Sequence, residues 1–352
     1  MNILMTSEQV SAGHPDKICD QVSDAILDAC LERDKNTRAG IECMIKGNNL
    51  FIAGELTTKA HPIVETIARN TLKPLVDNGE NFLIHNYLTQ QSHDIALGVD
   101  KGGAGDQGMV FGYACRDNPE TLMPFPWEIA TATLEALDYY REWKAPFLKQ
   151  DAKAQVTFDY TNKRIDTFLI SCQHTLDASV KDIEEAITEN MNMVAETYYL
   201  NTDFKKLINP TGRFVLGGPY ADAGLTGRKI IADTYGGFCP HGGGAFSGKD
   251  PTKIDRSAAY MARKIAKDIL KEHDKAYECI VQLAYAIGIE EPVSIYIRLD
   301  NYEAKPELVK KIYREYDLTP RGIIKDLDLL NVKYQSTAAY GHFGNYLFPW
   351  EH

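Results

Sequence analysis

The order of predicted helices and strands repeats three times along this chain. The first set has a helix from Pro15, strands AGIECMIKG and NLFIAGELTT joined at Gly47-Asn48-Asn49, a helix opening His61-Pro62, and a strand NFLIHNYL. The second has helix PWEIATATLEALDYYREW, strands AQVTFDY and RIDTFLISCQHT, and helix VKDIEEAITENMNMVAETYY. The third has helix DPTKIDRSAAYMARKIAKDILKEH, strands ECIVQLAYAIGI and VSIYIRL, and helix KPELVKKIYREYD. The pattern predicts an α+β protein of three similar units, each with helices layered on a sheet.

Composition narrows the class of protein further. The chain has 352 residues, 44% apolar and 25% charged, which is typical of a soluble globular protein with two or three domains. No apolar run approaches the roughly 18 residues that a membrane span needs, and MNILMTSEQV lacks the regions of a signal peptide. We therefore expect no membrane association.

Cysteine usage predicts the cellular compartment, and net charge restricts the kind of ligand that we expect. The seven cysteines are scattered and include no CxxC pair, which predicts reduced thiols in a cytoplasmic protein without a zinc site or disulfides. The net charge of −11 argues against nucleic-acid binding, because phosphate backbones need an excess of Lys and Arg across one face. A small polyphosphate ligand is compatible with this charge if cations are concentrated locally and metal ions are recruited.

Two glycine-rich segments interrupt the repeated pattern, at residues 98–114 and 209–253. Glycine-rich loops inside a compact protein bring the backbone close to a ligand or act as hinges. Flexible linkers are the alternative, but Asp, Arg, Lys and aromatic residues are interleaved with the glycines here. We therefore predict that both segments contribute to a binding site.

Part of the second segment has the spacing of a phosphate-binding P-loop. Gly243, Gly248 and Lys249 fit GxxxxGK, but Asp250 stands where Ser or Thr would bind Mg²⁺. The strand-like run RKIIADTY also ends well before Gly243. The spacing therefore favours a glycine-rich anion cradle ahead of a helix whose first turn is Asp250-Pro251, rather than a true P-loop.

Cations and carboxylates gather around these loops. The cations are Lys153, Arg228, Lys229, Lys249 and Lys253, and the carboxylates are Asp106, Asp222 and Asp255. Adjacent cations alone usually mark a solvated face. Beside carboxylates, however, they are what a Mg²⁺–polyphosphate site needs, because Mg²⁺ takes one or two protein carboxylates and completes its shell with phosphate oxygens and water.

The stretch GHPDKICDQVSD, residues 13–24, opens the first helix with unusual crowding. Pro15 suits the first helical position and Asp16 suits the first turn, where the helix dipole favours acids. His14 could be a simple cap. Capping explains His14 or Asp16 but not both with Lys17 beside them, so we predict that this helix start faces the ligand. The later carboxylates Asp20, Asp24 and Asp28 lie off the apolar stripe.

Seven motifs resemble the S-adenosylmethionine synthetase family (methionine adenosyltransferases), in the family's order. They are GHPDK, GAGDQG, DAKAQV, NPTGRFV, GGPYADAGLTGRKIIADTYGG, GGGAFSGKDPTKIDRSAAY and TAAYGHFG. The resemblance runs from Thr6 to Trp350. It implies three similar two-layer domains with pseudo-threefold symmetry, helices packed on mixed or antiparallel sheets, with boundaries expected at 1–100, 103–216 and 218–352. It also implies a homo-oligomer, commonly a dimer of dimers, with active sites at the subunit interface.

The family reaction joins ATP and L-methionine. Methionine sulfur attacks C5′ of ATP and expels tripolyphosphate, which is hydrolysed to pyrophosphate and phosphate before S-adenosylmethionine leaves. A thioether is nucleophilic without losing a proton, so the absence of a recognisable Ser/His/Asp or Cys/His arrangement fits this chemistry. The leaving group gathers negative charge, so catalysis should rest on preorganised electrostatics and in-line alignment.

The resemblance assigns roles to residues of this chain. Implied ATP contacts are His14, Lys17, Asp151, Lys153, Arg213, Phe214, Asp222, Arg228, Lys229, Ala245 and Lys249. Within that set the implied catalytic residues are His14 at the breaking C5′–O bond, with Lys153, Arg228, Lys229 and Lys249, while Phe214 stacks on adenine. Implied methionine contacts are Glu55, Gln91, Asp222 and Lys253. The implied cofactors are two Mg²⁺ per site, at Asp16 and Asp255, and K⁺ at Glu42, with Asp106 in the metal and polyphosphate region.

One segment departs from the family pattern. Between QQSHDIALGVD and GAGDQG only Lys101 and Gly102 intervene, where the family usually has a longer segment covering the active site. We expect a more open or differently covered site over residues 92–104, where His93 replaces a frequent bacterial Pro. Two other functions are weighed: a P-loop-like NTPase, and a non-catalytic nucleotide-binding regulatory subunit. The latter should have lost His14, Asp16, Lys153 or Lys249, and all four are present.

Overall fold

The computed structural model describes residues 2–90 and 103–352. Within them, twelve strands form three four-stranded sheets. The strands are β1 Leu4–Val10, β2 Arg38–Lys46, β3 Asn49–Thr57, β4 Leu83–Thr89, β5 Gly108–Cys115, β6 Leu148–Asp159, β7 Arg164–His174, β8 Lys205–Ile208, β9 Gly224–Leu225, β10 Glu278–Tyr285, β11 Ser294–Leu299 and β12 Tyr302–Glu303.

Helices cover these sheets. In the described residues they are α1 Pro15–Leu31, α2 Val64–Leu72, α3 Phe125–Trp143, α4 Val180–Thr197, α5 Gly218–Ala221, α6 Ile230–Asp233, α7 Ile254–Glu272, α8 Pro306–Glu315 and α9 Pro320–Asp326. Short 3₁₀ turns occupy Gly79–Asn81, Tyr334–Thr337 and Pro349–Glu351. None of the helices in this part of the chain is both long enough and apolar enough to cross a membrane.

Each sheet takes one strand from a distant part of the chain. The orders are β1-β6-β7-β8, β12-β11-β10-β5 and β4-β3-β2-β9. Most pairs are antiparallel, while β3–β4 and β7–β8 are parallel. The α+β class with three similar sheet-and-helix units is therefore confirmed. The expected linear boundaries stay a prediction, and the exchanged strands tie the three segments together.

The predicted hairpins are present. Lys46 pairs with Asn49 across the β2–β3 turn, and Asp159 pairs with Arg164 across the β6–β7 turn. Alternate residues of β2 are buried and exposed, as expected for a strand with one face on the core. In α1, Ile18, Val22 and Ile26 are fully buried, and burial of each aliphatic side chain stabilises the fold by about 1.5–3 kcal/mol.

Two predicted helix starts are wrong by a few residues. The helix expected to open at Pro62 begins at Val64, because His61 has φ of 49° and Ile63 (φ −87°, ψ 83°) is not helical. The helix expected to open at Asp250 begins at Ile254. Asp250 instead donates its N–H to the carbonyl of Ala39, which holds this residue in extended pairing with β2.

Candidate active site

The start of α1 fixes the orientation of His14. This residue is the N-cap, and its Nδ1 accepts a hydrogen bond from the backbone N–H of Asp16 at 3.1 Å. Pro15 follows at the first helical position, where its missing N–H costs nothing. Since Nδ1 accepts, the ring proton lies on Nε2 of the neutral imidazole. His14 therefore presents a single, fixed N–H donor.

Burial and a neighbouring cation keep that imidazole neutral. His14 is 3% exposed, and burial together with the charges of Lys229 and Lys153 lowers its pKa from 6.5 to about 3, with Asp16 and Asp222 acting in the opposite direction. The same charges show that the structure brings these predicted site residues together around His14. The histidine is suited to donate a hydrogen bond rather than to carry a positive charge.

Asp16 joins the helix start to the second glycine-rich segment. Its Oδ2 accepts from Nζ of Lys229 at 2.6 Å, and its Oδ1 accepts from the N–H of Leu225 at 2.9 Å. Burial favours the neutral acid, but the hydrogen bonds from Lys229 and Leu225 outweigh it and hold the pKa of Asp16 below its usual range. Asp16 is therefore a carboxylate at neutral pH, with a cation beside it.

The edge of β2 that faces away from β3 supports two loops that carry predicted cations. Residues 224–226 pair with Cys43 to Ile45, through β9 and a bond from Thr226 N–H to the carbonyl of Cys43. Residues 248–250 pair with Ala39 to Ile41 further along the same edge. Lys229 follows the first of these segments and Lys249 lies within the second. The sheet edge thus sets the spacing of the two cationic loops.

A row of carboxylates on α1 accepts backbone N–H groups, of which Asp20 and Asp24 hold these loops and Asp28 holds the segment at Tyr334. Asp20 accepts from Gly227 N–H at 2.8 Å, Asp24 accepts from Gly248 N–H at 2.8 Å, and Asp28 accepts from Tyr334 N–H at 2.7 Å. Asp20 and Asp24 are fully buried. Burial raises the pKa of Asp20 to about 7 and that of Asp28 to about 6.

Sequence reasoning missed this acid row, because carboxylates off an apolar stripe usually face water. The signal that was available is their strict spacing of four residues from Asp16 to Asp28. Acids at that spacing lie along one line of a helix.

The two loops touch each other at Gly227 and Ala245. Gly227 has φ of 77°, and a Cβ added to it would lie 2.4 Å from Cβ of Ala245. Gly248 is equally restricted, with φ of 81° and a Cβ position only 2.0 Å from the carbonyl oxygen of Ile41. Side chains are excluded at both places, so the LTGRK and GGAFSGK segments approach each other closely at Gly227, and the second segment approaches β2 closely at Gly248.

The charged side chains form two groups: the His14 group, with Asp16 and Lys229, and the Lys249 group, which begins with Lys249 and Asp255. Nζ of Lys249 lies 2.5 Å from Oδ2 of Asp255, in the first turn of α7. Gly108, at the end of GAGDQG, packs against Asp255, since a Cβ there would lie 3.5 Å from Oδ1. Asp106 is exposed in that same segment and accepts from the N–H of its neighbour Gln107. The first glycine-rich segment therefore reaches this charged group, and its contribution to a binding site stays a prediction.

Carboxylates of the β2–β3 hairpin border the second group. Partial burial raises the pKa of Glu42, Lys249 opposes that rise, and Glu55 adds to it, so the three charges are neighbours. Glu55 is exposed on β3, opposite Gly40 in the strand register. Nζ of Lys253 lies 3.0 Å from Oδ2 of Asp250. The predicted methionine contacts Glu55 and Lys253 therefore lie beside this group.

The remaining predicted ATP contacts lie on β6 and in the segments that follow β8 and β9. Asp151 is buried and accepts from Gly218 N–H at 2.7 Å, and burial raises its pKa. Phe214 is half-buried, and its N–H donates to Nε2 of His174 at 3.0 Å. Lys153, Arg213 and Arg228 are exposed. Gln91 and the expected shortened segment 92–104, apart from Gly103 and Ala104, lie outside the described residues.

Lys17 does not face a ligand in this arrangement. Its side chain is fully buried, and Nζ pairs with Asp233 and, at 3.0 Å, with Asp20. Desolvation opposes its charge, but the two carboxylates outweigh that penalty and raise the pKa of Lys17 above its usual range. Lys17 is therefore a buried cation beneath the helix start, where the resemblance had implied a direct ATP contact.

The carboxylates fit a metal that is bound mainly by phosphate. Among the described residues, no group of three or more His, Cys, Asp or Glu side chains is arranged to hold a metal ion. Asp16 and Asp255 are instead single carboxylates, each paired with a lysine. This donor set suits Mg²⁺, which takes one or two carboxylates together with substrate phosphates and water.

The P-loop alternative fails in the structure. A P-loop needs a strand that leads directly into the glycine turn and a helix that follows it. Here β9 ends at Leu225 and α7 begins only at Ile254. The carboxylate of Asp250, at the Ser/Thr position, accepts from Ala39 N–H at 2.9 Å and from Thr252. This segment is an edge of the β2 sheet, not a strand–loop–helix phosphate cradle.

Comparison with known proteins agrees with this geometry. Profiles of the S-adenosylmethionine synthetase N-terminal, central and C-terminal domains match residues 2–93, 101–214 and 216–352. An S-adenosylmethionine synthase of Helicobacter pylori is 48% identical over 372 aligned positions, covering 99% of this chain and 96% of the relative. Those of Helicobacter acinonychis and Helicobacter hepaticus are each 47% identical, again over 99% of this chain and over 96% and 95% of their own lengths. The chain belongs to the S-adenosylmethionine synthetase family, the methionine adenosyltransferases that make S-adenosylmethionine from ATP and methionine.

Proposed function

We propose that this chain makes S-adenosylmethionine by in-line attack of the methionine sulfur on C5′ of ATP, followed by hydrolysis of the tripolyphosphate to pyrophosphate and phosphate. The observation that carries this mechanism is the neutral His14 at the start of α1, beside Asp16 and Lys229. A neutral donor next to a cation suits a leaving group that becomes more negative as the bond breaks.

His14 acts at the breaking bond. Its Nε2–H, fixed by the Nδ1 contact to Asp16 N–H, donates to the departing C5′ oxygen. Because the imidazole is neutral and held in one orientation, this hydrogen bond needs no reorganisation during the reaction. The methionine sulfur loses no proton, so no general base is required.

The cations bind the triphosphate and stabilise the negative charge that it gains as the C5′–O bond breaks. Lys153 and Lys229 lie on the His14 side, with Arg228 preceding Lys229 in the chain, and Lys249 lies on the Asp255 side. Removal of one preorganised contact of this kind usually costs about 3 kcal/mol of transition-state stabilisation. Lys17, buried between Asp20 and Asp233, supports the helix start instead of binding phosphate directly.

Metal ions complete the triphosphate site. Asp16 and Asp255 would each hold one Mg²⁺, with Asp106 nearby, and Glu42 would hold K⁺. When bound, these cations would neutralise the triphosphate charge and hold its oxygens in position. The family is metal-dependent, and we propose Mg²⁺ and K⁺ as the ions that this chain uses.

The remaining side chains bind the organic parts of the substrates. Phe214 stacks on adenine, with Asp151, Arg213 and Ala245 around the nucleoside. Asp222 and Lys253 serve ATP and methionine, and Glu55 binds the methionine amino group. These assignments are supported by the positions of Glu55 near Glu42 and Lys249, of Lys253 beside Asp250, and of Asp222 near His14.

An oligomer would complete each site. The His14 group and the Lys249 group each carry only part of the predicted contacts, and Glu55 is exposed on its strand. A homo-oligomer, a dimer of dimers with sites at the dimer interface, would bring the missing contacts from a second copy. Within this proposal the chain acts in the cytoplasm in one-carbon metabolism.

One assay tests the proposed function directly. Purified protein is mixed with ATP, L-methionine, Mg²⁺ and K⁺, and S-adenosylmethionine, pyrophosphate and phosphate are measured. We expect all three products, with formation of S-adenosylmethionine dependent on methionine and each cation. His14→Asn is the control for contaminating activity. Turnover of ATP to ADP without methionine would contradict the proposal and favour an NTPase.

A further inference from the structure

The turn that carries Lys229 is held from below by Asp20. An α-helix advances about 6 Å over four residues, and an extended chain advances about 6.6 Å over two. Asp16 and Asp20, four residues apart on α1, accordingly receive the N–H groups of Leu225 and Gly227, two residues apart. The intervening Thr226 N–H points the other way, to Cys43 of β2. Each backbone N–H from Leu225 to Gly227 therefore donates either to α1 or to β2, which fixes the segment between the helix and the sheet.

A buried ion pair of Lys17 with Asp20 and Asp233 supports the turn behind Lys229. Nζ of Lys17 lies between Asp20 and Asp233. The backbone N–H of Asp233 donates to the carbonyl of Lys229 at 2.8 Å, so Asp233 closes the helical turn that starts at Lys229, while its carboxylate pairs with Lys17. Asp20, Lys17 and Asp233 therefore fix the chain on both sides of Lys229. All three side chains are shielded from any ligand, with side-chain exposures of 1%, 0% and 5%.

We propose that Asp20 is a positioning residue that, through Gly227 and the Lys17–Asp233 pair, sets Lys229 in place for the triphosphate. This inference rests on the proposed function. Asp20 touches no substrate and acts only through the turn. Asp20 lies outside the GHPDK motif, and its role follows from its hydrogen bond to Gly227 and its ion pair with Lys17.

The other acids of α1 provide the comparison. Asp24 holds Gly248 beside Lys249 in the same way, but it also forms the buried bidentate pair with Arg256. Its removal would leave a buried cation without its carboxylate and destabilise the protein strongly. Asp28 holds Tyr334 and Gln335, away from the cationic loops. Asp28→Asn is therefore a matched control with the same helix, the same chemistry and no route to Lys229.

The decisive experiment is a pair of double-mutant cycles. Asp20→Asn is made in the native chain and in the Lys229→Met and Lys249→Met backgrounds, and kcat/KM for ATP is measured at saturating methionine. Asn leaves Lys17 paired with Asp233, so the substitution does not leave a buried cation unpaired. In the native chain we expect a loss of about 100-fold, the scale of a 1 Å misplacement in an active site.

The cycles separate positioning from general damage. In the Lys229→Met background the effect of Asp20→Asn should shrink at least about tenfold, because the group it positions is gone. In the Lys249→Met background it should stay the same within about twofold, the usual limit of additivity. Asp28→Asn should leave kcat/KM unchanged. Equal losses from Asp20→Asn in all three backgrounds would overturn the inference.

A binding measurement tests the effect on triphosphate binding independently of turnover. Calorimetry with inorganic tripolyphosphate and Mg²⁺ should show weaker binding for Asp20→Asn and unchanged binding for Asp28→Asn. Should Asp20→Asn not fold, Asp233→Asn removes the charge that pairs with Lys17 behind the turn, keeps Lys17 paired with Asp20, and enters the same cycles with the same expected outcomes. A native protein that forms no S-adenosylmethionine contradicts the proposed function, whereas an active native protein with additive cycles contradicts only the role of Asp20.

Discussion

Gly227→Ala should separate the two cationic loops by a predictable amount. A Cβ at this position would lie 2.4 Å from Cβ of Ala245, whereas carbon atoms pack best at about 3.5–4.0 Å. One loop therefore has to move by about 1 Å. The move is resisted on both sides, since Asp20 and Cys43 hold one loop and the β2 edge holds the other.

The structure also gives the size of the effect. Alanine in the left-handed region at φ of 77° costs about 1–2 kcal/mol. Overpacking against Ala245 adds about 1–3 kcal/mol. We expect a loss of about 2–5 kcal/mol in the free energy of unfolding. If the loops separate, alignment of the phosphate contacts suffers as well, and kcat/KM should fall by about 100-fold.

Two comparison variants isolate these contributions. Gly47→Ala carries a similar backbone cost at φ of 59°, but its Cβ meets nothing within 4 Å. It should lose about 1 kcal/mol of stability and keep full activity. Adding Ala245→Gly to Gly227→Ala removes the clash but not the backbone strain, so it should recover most of the activity and only part of the stability.

Urea unfolding at fixed protein concentration and initial rates of S-adenosylmethionine formation provide both readouts. The reasoning fails if Gly227→Ala behaves like Gly47→Ala. It also fails if Ala245→Gly restores nothing, because the loops would then not be coupled through this contact.

Three further predictions concern individual side chains. His14→Asn should depress adenosyl transfer far more than hydrolysis of added tripolyphosphate, because only the first step breaks the C5′–O bond; equal losses would assign His14 to the phosphates generally. Lys249→Ala should raise the barrier by about 3 kcal/mol, read from kcat/KM. Burial, with Arg256, holds the pKa of His342 well below 6.5, so the unfolded chain takes up a proton first and stability falls as pH drops below about 6.5. His342→Gln should flatten that decline in urea unfolding between pH 8 and 5, and an unchanged slope would contradict it.

Local patterns in the sequence predicted most of the elements. Helix and strand periodicity located α1 and the β2–β3 and β6–β7 hairpins, because these depend on nearby residues and on one buried face. The helix starts at Pro62 and Asp250 were wrong for other reasons. The start at Asp250 is decided by a contact far along the chain, the bond from Asp250 N–H to the carbonyl of Ala39 of β2, and no local pattern reports such a contact. The start at Pro62 is displaced by the backbone of His61, whose φ of 49° is not helical.

The site shows the same division. Motifs identified the residues around His14 and Lys249, because their chemistry is visible as residue types at fixed spacing. The burial of Asp20 and Lys17 was not predicted, since a charged residue off an apolar stripe is ordinarily solvated and the regular spacing of the acids shows only that they share one line of the helix. Only the fold shows that two loops cover this face of α1 and supply the N–H groups that the carboxylates need.

The exchange of strands among the three sheets has a consequence for synthesis on the ribosome. β1 is among the first segments to emerge, yet its partner β6 spans Leu148–Asp159, and β5 has to wait for β10 at Glu278–Tyr285. Such distant pairings slow folding and leave strand edges open in the growing chain. A nascent chain halted near residue 216 would still display β5 without its partner. Its yield should therefore depend on chaperones that shield those edges until the last third of the polypeptide has appeared.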